Sequence, residues 1–472
     1  MNTPVYVLGG YQTDFARNWT KEGKDFADAF GETVSGTLDA TSLDATDIDV
    51  AHVGNFAAEL YCNQGHLGGF FAELDPAFAG IPASRHEAAC ASGSVSLLMA
   101  SAEIEAGRYD AALILGVEQM KTVDPATGGD YLGTAAWYDR EAKGIEFPFP
   151  KLFAGLGDVY EERFGLKQEH LTRIAELNYT NARRNPRAQT RAWFDDDIAT
   201  QICEGKYDRD VAGRLRVRDC SQITDGAVGL VLASADFAQR YAEQRGLKLD
   251  DLPQILGWGH TTAAIRFETK IERSAGDDYV LPHTRRAITD ALGRAELEDI
   301  WAVDGVETHD CFTTSQYMAI DHFGLTPPGQ SWQAIEEGVI ALADETTDRV
   351  LLAIEYDQRL GSHRAQDRSA SFRTPPGHPE GYLEGFANLY SDIAAIIRGD
   401  TTHLDRVPGL EAGLSGMAFI AAAQDISGGG IGRYGSIEIE LGSIPHYPHQ
   451  LAVVVATNPV TRHGGVLACL AA

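Results

Sequence analysis

Short apolar runs alternate with amphipathic stretches along most of this chain, which predicts strands and helices in alternation. The apolar runs predict strands at 5–8, 48–53, 110–117, 228–233, 254–257, 300–307, 350–355 and 451–456. Apolar residues at helical spacing predict helices at 25–38, 95–105, 284–292, 313–323 and 383–397. This order of elements is typical of an α/β fold.

One cysteine, Cys90, lies where the pattern passes from a predicted strand to a predicted helix. Its neighbours in Glu87-Ala-Ala-Cys-Ala-Ser-Gly-Ser94 are small. A thiol at a helix N-terminus lies near unpaired N–H groups and the positive end of the helix dipole, so its thiolate is favoured, and small neighbours leave room for a thioester. An ordinary buried cysteine explains the pattern equally well. The spacing alone therefore leaves a nucleophile and a core residue as alternatives.

Bulk properties exclude several classes of protein. The 472 residues suffice for two or three domains with apolar cores, and the formal net charge of −29 disfavours nucleic acids and anionic membrane surfaces as partners. The six cysteines show no CxxC motif and no zinc-ligand spacing, so we expect no metal and a reducing compartment. The start of the chain resembles a strand and no long apolar segment follows, which predicts a cytoplasmic protein without a membrane partner.

The segment Cys90-Ala-Ser-Gly-Ser resembles the nucleophile motif of thiolases, particularly the branch of sterol-carrier-protein thiolase and acetyl-CoA acetyltransferase. Further segments agree in the same order, namely VGNF at 53–56, EQM at 118–120, SQITDGA at 221–227 and GVETHDCF at 305–312. The likeness covers about residues 4–338. It implies a thiolase-like fold of duplicated α/β halves with a loop domain, assembled as a homodimer.

The resemblance also implies a division of the chain into four regions. Residues 1–121 and 195–245 form the N-terminal thiolase half, and 122–194 form the loop domain. Residues 246–345 begin the C-terminal half, and 346–472 are a divergent C-terminal third. Four arginines in and near the loop domain are candidates for the coenzyme A phosphates, and a solvated helix face is an equal alternative; they are Arg183, Arg184, Arg187 and Arg191.

The chemistry implied by the resemblance is acyl transfer through a cysteine acyl-enzyme, with a coenzyme A thioester as substrate and no further cofactor. Cys90 would attack the thioester. His309 would help to hold the thioester oxygen in an oxyanion hole, where the wider family has an asparagine in place of this His-Asp-Cys-Phe loop. Cys311 would give or accept the proton.

The resemblance ends after residue 338. Thiolases continue with Asn-Pro-x-Gly-Gly and then Gly-His-Pro-x-Gly-x-Thr-Gly, whose histidine activates the nucleophile. In this chain the corresponding segment is Gly377-His-Pro-Glu-Gly-Tyr382. Residues 351–427 instead resemble the C-terminal domain of the glucose-fructose oxidoreductase family. His378 therefore either reaches Cys90 or belongs to a foreign loop, and its neighbours favour the second interpretation.

This departure keeps two other functions open. Without a base for its thiol, the chain would be a catalytically impaired thiolase-fold scaffold or an acyl-CoA-binding subunit. An oxidoreductase is a third alternative, but it requires a nicotinamide site, and no strand–GxGxxG–helix unit begins this chain.

Overall fold

The computed structural model describes residues 3–303 and 305–340, together with strands at 351–354, 449–456 and 465–470. The strands are β1 (Val5–Gln12), β2 (Val50–Gly54), β3 (Ala83–His86), β4 (Ala111–Gln119), β5 (Asp210–Ala212), β6 (Leu215–Arg216), β7 (Asp225–Ser234), β8 (Gln254–Thr262), β9 (Gly305–Thr308), β10 (Leu351–Ile354), β11 (His449–Ala456) and β12 (Gly465–Leu470).

The helices fall between these strands and in the segment that links β4 to β5. They are α1 (Phe26–Thr41), α2 (Ala58–Tyr61), α3 (Gly69–Leu74), α4 (Ser92–Glu105), α5 (Pro125–Leu132), α6 (Pro148–Phe164), α7 (Gln168–Arg184), α8 (Ile198–Gln201), α9 (Ala235–Gln244), α10 (Phe267–Arg273), α11 (Pro282–Arg294), α12 (Thr313–Phe323) and α13 (Ser331–Glu336).

Ten of the described strands form one mixed sheet, in the order β10-β9-β12-β11-β8-β1-β7-β4-β2-β3. The half that contains β1 has three parallel strands, β3, β2 and β4, followed by β7 antiparallel to both β4 and β1. The other half repeats these directions, with β10, β9 and β12 parallel and β11 antiparallel to both β12 and β8. The predicted duplicated α/β fold is confirmed. One difference is that β11, which corresponds to β7, precedes β12, which corresponds to β4, along the chain.

Most predicted elements are present, with boundaries that shift by a few residues. The helix predicted at 313–323 matches α12, and the strand at 110–117 extends to Gln119 as β4. The run at 300–307 is strand only over Gly305–Thr308, because residues Ile300–Ala302 form a helical turn. The helix predicted at 383–397 lies outside the described residues.

The first strand corrects one prediction. The apolar run predicts a strand that ends at residue 8, whereas β1 continues through Gly9 and Gly10 to Gln12. Gly9 lies at a register shift against β7 with φ of 141°, and a Cβ on Gly10 would lie 2.4 Å from the Gly229 carbonyl oxygen. The glycines therefore permit a bulge and a close backbone approach inside the strand.

The first helix shows how local sequence sets an element. Asp25 caps α1: its side chain accepts from the Asp28 N–H at 3.1 Å, while the Asp28 carboxylate accepts from the Asp25 N–H at 2.9 Å. The inward face of the helix then buries Phe26, Phe30 and Val34 against the first half of the sheet. The cap and the apolar spacing together explain why the sequence predicts this helix well.

A second apolar cluster joins the helices of the segment 122–194 to the second half. Side chains of α6, such as Phe153 and Tyr160, pack in this cluster with Tyr317 and Ile320 of α12 and Ile288 of α11. The sheet halves and the linking helices therefore meet around one buried region. Within the described residues, no helix is both long and apolar enough to cross a bilayer.

Candidate active site

Cys90 lies in a tight turn that joins β3 to α4. The turn covers Ala89–Ala91, and the cysteine is only 5% exposed. Ala89 has φ of +49°, a left-handed conformation that costs a residue with a Cβ on the order of 1 kcal/mol or more. Backbone strain of this kind persists only where the surroundings enforce it, and it is frequent at functional sites.

Three hydrogen bonds enforce the turn. The Ala89 N–H donates to Glu87 Oε1 at 2.6 Å, and the Ala88 N–H donates to Ser92 Oγ at 3.0 Å. The Ser92 hydroxyl in turn donates to the Ala89 carbonyl at 2.6 Å. Ser92 is the first residue of α4, so these contacts hold Cys90 directly before the positive end of a 14-residue helix.

The first turn of α4 is pressed against the end of β2. A Cβ built on Gly54 would lie 2.5 Å from both the Gly93 Cα and the Gly93 N. Such distances leave no room for a side chain, and the obstructing atoms are backbone. The two glycines therefore set how closely the helix that follows Cys90 approaches the sheet.

We expect Gly54→Ala to destabilise the fold by about 1–3 kcal/mol, because the new methyl group must displace the backbone of α4. The thermal unfolding midpoint measures the effect, and any acylation of Cys90 should decrease in parallel. Gly65→Ala is the matched control, since its nearest neighbour is a side-chain oxygen of Glu59 at 4.0 Å. Equal midpoints for the two variants would show that the close approach at Gly54 is not a constraint.

His309 and Cys311 lie on the loop between β9 and α12. This loop is held by the segment before β7: the Ser221 N–H donates to the Cys311 carbonyl at 3.0 Å, and Cys220 forms an isolated β-bridge with Phe312. At the start of α12, the Thr313 hydroxyl donates to Asp219 Oδ1 at 3.0 Å. A part of the first half thus fixes the loop of the second half.

The helices α6 and α7 hold the same loop from another side. The Asn178 amide donates to the Asp310 carboxylate and, at 2.9 Å, to Gln316 Oε1. The ring of Phe153 stacks on Phe312 with centroids 4.6 Å apart. The predicted loop domain therefore supplies contacts that orient the His309 loop, a role for which its sequence holds no recognisable motif.

Burial determines the protonation of both candidate residues on this loop. It lowers the pKa of His309 to about 4, so the imidazole is neutral at neutral pH. It raises the pKa of Cys311 well above 9, and the Cys311 Sγ lies 3.6 Å from Ser315 Oγ. A neutral imidazole offers one N–H as a donor, and Cys311 keeps its proton and is therefore a neutral thiol at neutral pH.

The cysteine turn and the histidine loop border the same apolar cluster. Ala89, the residue before Cys90, belongs to this cluster together with Cys311 and Phe312. The strand β11 passes next to the turn at Ala89–Ala91 and pairs with β8 of the second half. His378, the fourth predicted site residue, lies outside the described residues, so its approach to Cys90 stays a prediction.

Glu118 is a buried carboxyl group to which the sequence reasoning gave no role. It lies at the end of β4, is 3% exposed, and its Oε1 accepts from the Asn55 amide and the Phe56 N–H, each at 2.5 Å. Its Oε2 has no partner among the described residues, and burial raises the pKa of Glu118 to about 8. The signal in the sequence was an acidic residue that ends an apolar strand and opens the EQM segment at 118–120.

The raised pKa predicts a pH dependence of stability. Between pH 4.5 and about 8 the folded protein holds a proton on Glu118 that the unfolded chain releases, so the free energy of unfolding decreases as the pH rises through this window, by a few kcal/mol at most. Glu118→Gln should remove this decrease, measured as the thermal midpoint at pH 5 and pH 8. Glu73→Gln, at an exposed position, should leave the decrease unchanged. An identical slope for wild type and Glu118→Gln would contradict the assignment.

Three of the four arginines of this cluster have partners within the fold, and the phosphate interpretation stays a prediction. Arg183 pairs with Asp196 at 2.8 Å, Arg191 pairs with Asp14 at 2.7 Å, and Arg187 donates to the Gln12 carbonyl. Arg184 is exposed at the end of α7. Arg187 and Arg191 therefore join the segment after α7 to the start of the chain, whereas the Arg183–Asp196 pair lies at the surface.

Comparison with known proteins agrees with this geometry. Residues 5–214 match the family model described as the thiolase N-terminal domain. The acetyl-CoA acetyltransferase of Methanothermobacter thermautotrophicus is 31% identical over 341 residues, which cover 71% of this chain and 81% of that protein. The chain belongs to the thiolase superfamily. The residues matched to the thiolase domain include Cys90 and Glu118 but end before the His309 loop.

Other thiolase-superfamily relatives extend the comparison. The acetyl-CoA acetyltransferase of Methanocaldococcus jannaschii is 29% identical over 351 residues, covering 72% of this chain and 80% of that protein. Sterol carrier protein 2 of Gallus gallus is 25% identical over 346 residues, which are 72% of this chain but 59% of the longer relative. The predicted resemblance of residues 351–427 to glucose-fructose oxidoreductases falls, apart from β10, outside the described residues and stays a prediction.

Among solved structures, the complex titled Ltp2-ChsH2(DUF35) aldolase has a TM-score of 0.58 to this chain. It is 17% identical and covers 84% of this chain and 91% of that one. At this identity the likeness concerns the fold alone. The two chains share an overall fold, which does not bear on the reaction.

Proposed function

We propose that this protein is a thiolase-type acyltransferase that transfers acyl groups from coenzyme A thioesters through an acyl-enzyme on Cys90. The observation that carries the proposal is the turn of Cys90, which is strained at Ala89, held by three hydrogen bonds and placed at the start of α4. The similarity to archaeal acetyl-CoA acetyltransferases supports acetyl-CoA as a donor.

In the proposed first step, Cys90 Sγ forms a bond to the thioester carbonyl carbon, and a base takes the thiol proton. The carbonyl oxygen becomes an oxyanion, to which His309 and backbone N–H groups donate. When the oxyanion collapses, the bond to the coenzyme A sulfur breaks and the leaving thiolate takes up a proton. A second acceptor, coenzyme A or the carbanion of another acetyl-CoA, then removes the acyl group from Cys90.

The base that takes the thiol proton distinguishes the proposed enzyme from a second candidate. With a pKa of about 4, His309 is a poor proton acceptor at neutral pH, and Cys311 already holds its proton. The proposed base is therefore His378, within the altered Gly-His-Pro-Glu-Gly-Tyr segment. If no base reaches Cys90, the protein is a thiolase-fold subunit that binds acyl-CoA without turning it over.

The intact mass of the protein after incubation with acetyl-CoA tests the proposal. We expect an acetyl adduct on a cysteine, removable by added coenzyme A. Binding of acetyl-CoA in calorimetry without any adduct would favour the binding subunit instead. We also propose that the protein acts as a homodimer, which its mass in solution, twice the 51.0 kDa of the chain, would show.

A further inference from the structure

A cavity of 480 Å³ lies at the end of β8, between α10 and the beginning of α11. Its volume falls within the range of small-molecule sites. Three of its lining residues are the cations Lys270, Arg273 and Arg286, and His283 lies beside them. Asp277 is the carboxylate among the described lining residues. This concentration of basic side chains stands out in a chain whose formal net charge is −29.

The acidic groups near these cations hold structural contacts or, in the case of Asp290, a surface ion pair with Arg286 Nε at 3.8 Å. Asp277 Oδ1 accepts from the Tyr279 N–H at 3.0 Å and so stabilises the loop before α11. Glu141, which acts on the charge of Lys270, accepts from the Phe267 N–H at 2.7 Å, at the first residue of α10. Among the described lining residues, three cations therefore face one carboxylate, Asp277, and this carboxylate accepts from a backbone N–H.

The two arginines and the lysine occupy different depths. Arg273 and Arg286 are exposed at the mouth, whereas Lys270 is half-buried. Burial lowers the pKa of Lys270 to about 7, against the opposing effect of Glu141. An anion that enters the cavity would favour the charged form of this ammonium group and would therefore draw a proton onto Lys270.

Hydrogen bonds link both walls of the cavity to neighbouring helices. The Leu281 N–H donates to His322 Nε2 at 3.0 Å, and the Arg285 guanidinium donates to the His322 carbonyl at 2.9 Å. On the α10 side, Arg163 donates to the Ser274 carbonyl at 2.9 Å. These contacts tie one wall to α12, which begins at the His309 loop, and the other to α6. A ligand would thus meet a preformed site.

We propose that this cavity binds a phosphate-bearing anion. Arginine side chains match phosphate oxygens with two parallel N–H donors, and the ammonium group at the inner wall supplies a third contact. The volume accommodates a pyrophosphate group with part of the molecule attached to it. Two sources share this chemistry, the phosphates of coenzyme A and an independent phosphorylated metabolite. The proposal does not depend on acyl transfer at Cys90.

Calorimetric titration of the full-length protein with inorganic pyrophosphate, in a buffer without phosphate, tests the site. We expect wild type to bind and the variant Arg273→Gln/Arg286→Gln to lose at least tenfold in affinity, which corresponds to about 1.4 kcal/mol. Both arginines are exposed, so the variant should keep the thermal midpoint of wild type. Arg240→Gln, at an exposed position of α9, is the matched control and should bind as wild type does.

A second measurement addresses Lys270 directly. At pH 8, binding should take up close to one proton, seen as a dependence of the heat on the ionisation enthalpy of the buffer, and Lys270→Met should abolish this uptake.

Competition between coenzyme A and pyrophosphate would assign the site to the substrate, and simultaneous binding of both would assign it to another metabolite; each outcome supports a phosphate site. Absence of pyrophosphate binding, or equal affinity for wild type and the double arginine variant, would overturn the proposal. Acetylation of Cys90 is scored separately by mass, so a failure here leaves the proposed function untouched.

Discussion

Cys90→Ala should abolish the acetyl adduct and lower any acyl-transfer kcat by several orders of magnitude. The reason is that the proposed reaction proceeds through a covalent bond to this sulfur, and no other group in the turn at Ala89–Ala91 is a nucleophile. The side chain is small and alanine occupies both neighbouring positions, so the variant should fold with a thermal midpoint close to that of wild type. Intact mass after incubation with acetyl-CoA, followed by peptide mapping, provides the measurement.

Cys203→Ala is the control for adventitious acylation, because Cys203 is exposed and lies on the loop after α8. It should retain the full adduct. If Cys90→Ala still carries the acetyl group, with the modification mapped to another cysteine, Cys90 is not the nucleophile. If wild type and Cys203→Ala both lack the adduct while bound acetyl-CoA is detected, the binding-subunit alternative replaces the enzyme.

His309→Ala should lower kcat by about 10²–10³, the effect of removing one donor from an oxyanion hole in other enzymes. Because the pKa of His309 is about 4, the imidazole is already neutral above about pH 5. The loss should therefore be uniform from pH 6 to pH 9, which separates a donor from a general base. A base with a pKa in this range would instead change the shape of the pH profile.

His309→Asn is the matched variant, since an asparagine amide also offers an N–H donor and thiolases commonly use asparagine in this loop. We expect it to recover a substantial part of the activity that His309→Ala loses, at a similar thermal midpoint. If asparagine and alanine are equally inactive and equally stable, the donor role is wrong. If either variant is unfolded, substitution of Asn178, which holds the neighbouring Asp310, should test the same loop with less disturbance of the site.

Helix α12 links the His309 loop to the cavity lined by Lys270, Arg273 and Arg286, and this link predicts an effect on activity. Helix α12 begins at the His309 loop. Near its other end, His322 Nε2 accepts from the Leu281 N–H in the wall of the cavity. A ligand in the cavity would therefore lie against Leu281, whose N–H donates to His322 of the helix that follows the His309 loop. Pyrophosphate should consequently change the rate of Cys90 acetylation if both proposals hold, which the mass assay can follow over time.

The sequence by itself determined those helices and strands whose apolar spacing and capping residues lie close together along the chain. The helix α1, with its capping residues Asp25 and Asp28, and the uniformly buried strand β4 follow from neighbouring residues alone. The resemblance of separate motifs in their order along the chain predicted the duplicated fold and singled out Cys90, His309 and Cys311.

Only the tertiary structure decided what these residues meet. The strain at Ala89, the contact of Gly54 with Gly93 and the bulge at Gly9 depend on backbone atoms that are distant in sequence. The protonation of Glu118 and His309 depends on burial, which no local pattern specifies. Charge alone left the arginines at 183, 187 and 191 as either a phosphate site or a solvated helix face, and only the fold shows the partner of each. The cations at 270, 273 and 286 showed no motif, because a loop and two helices bring them together only in the folded chain.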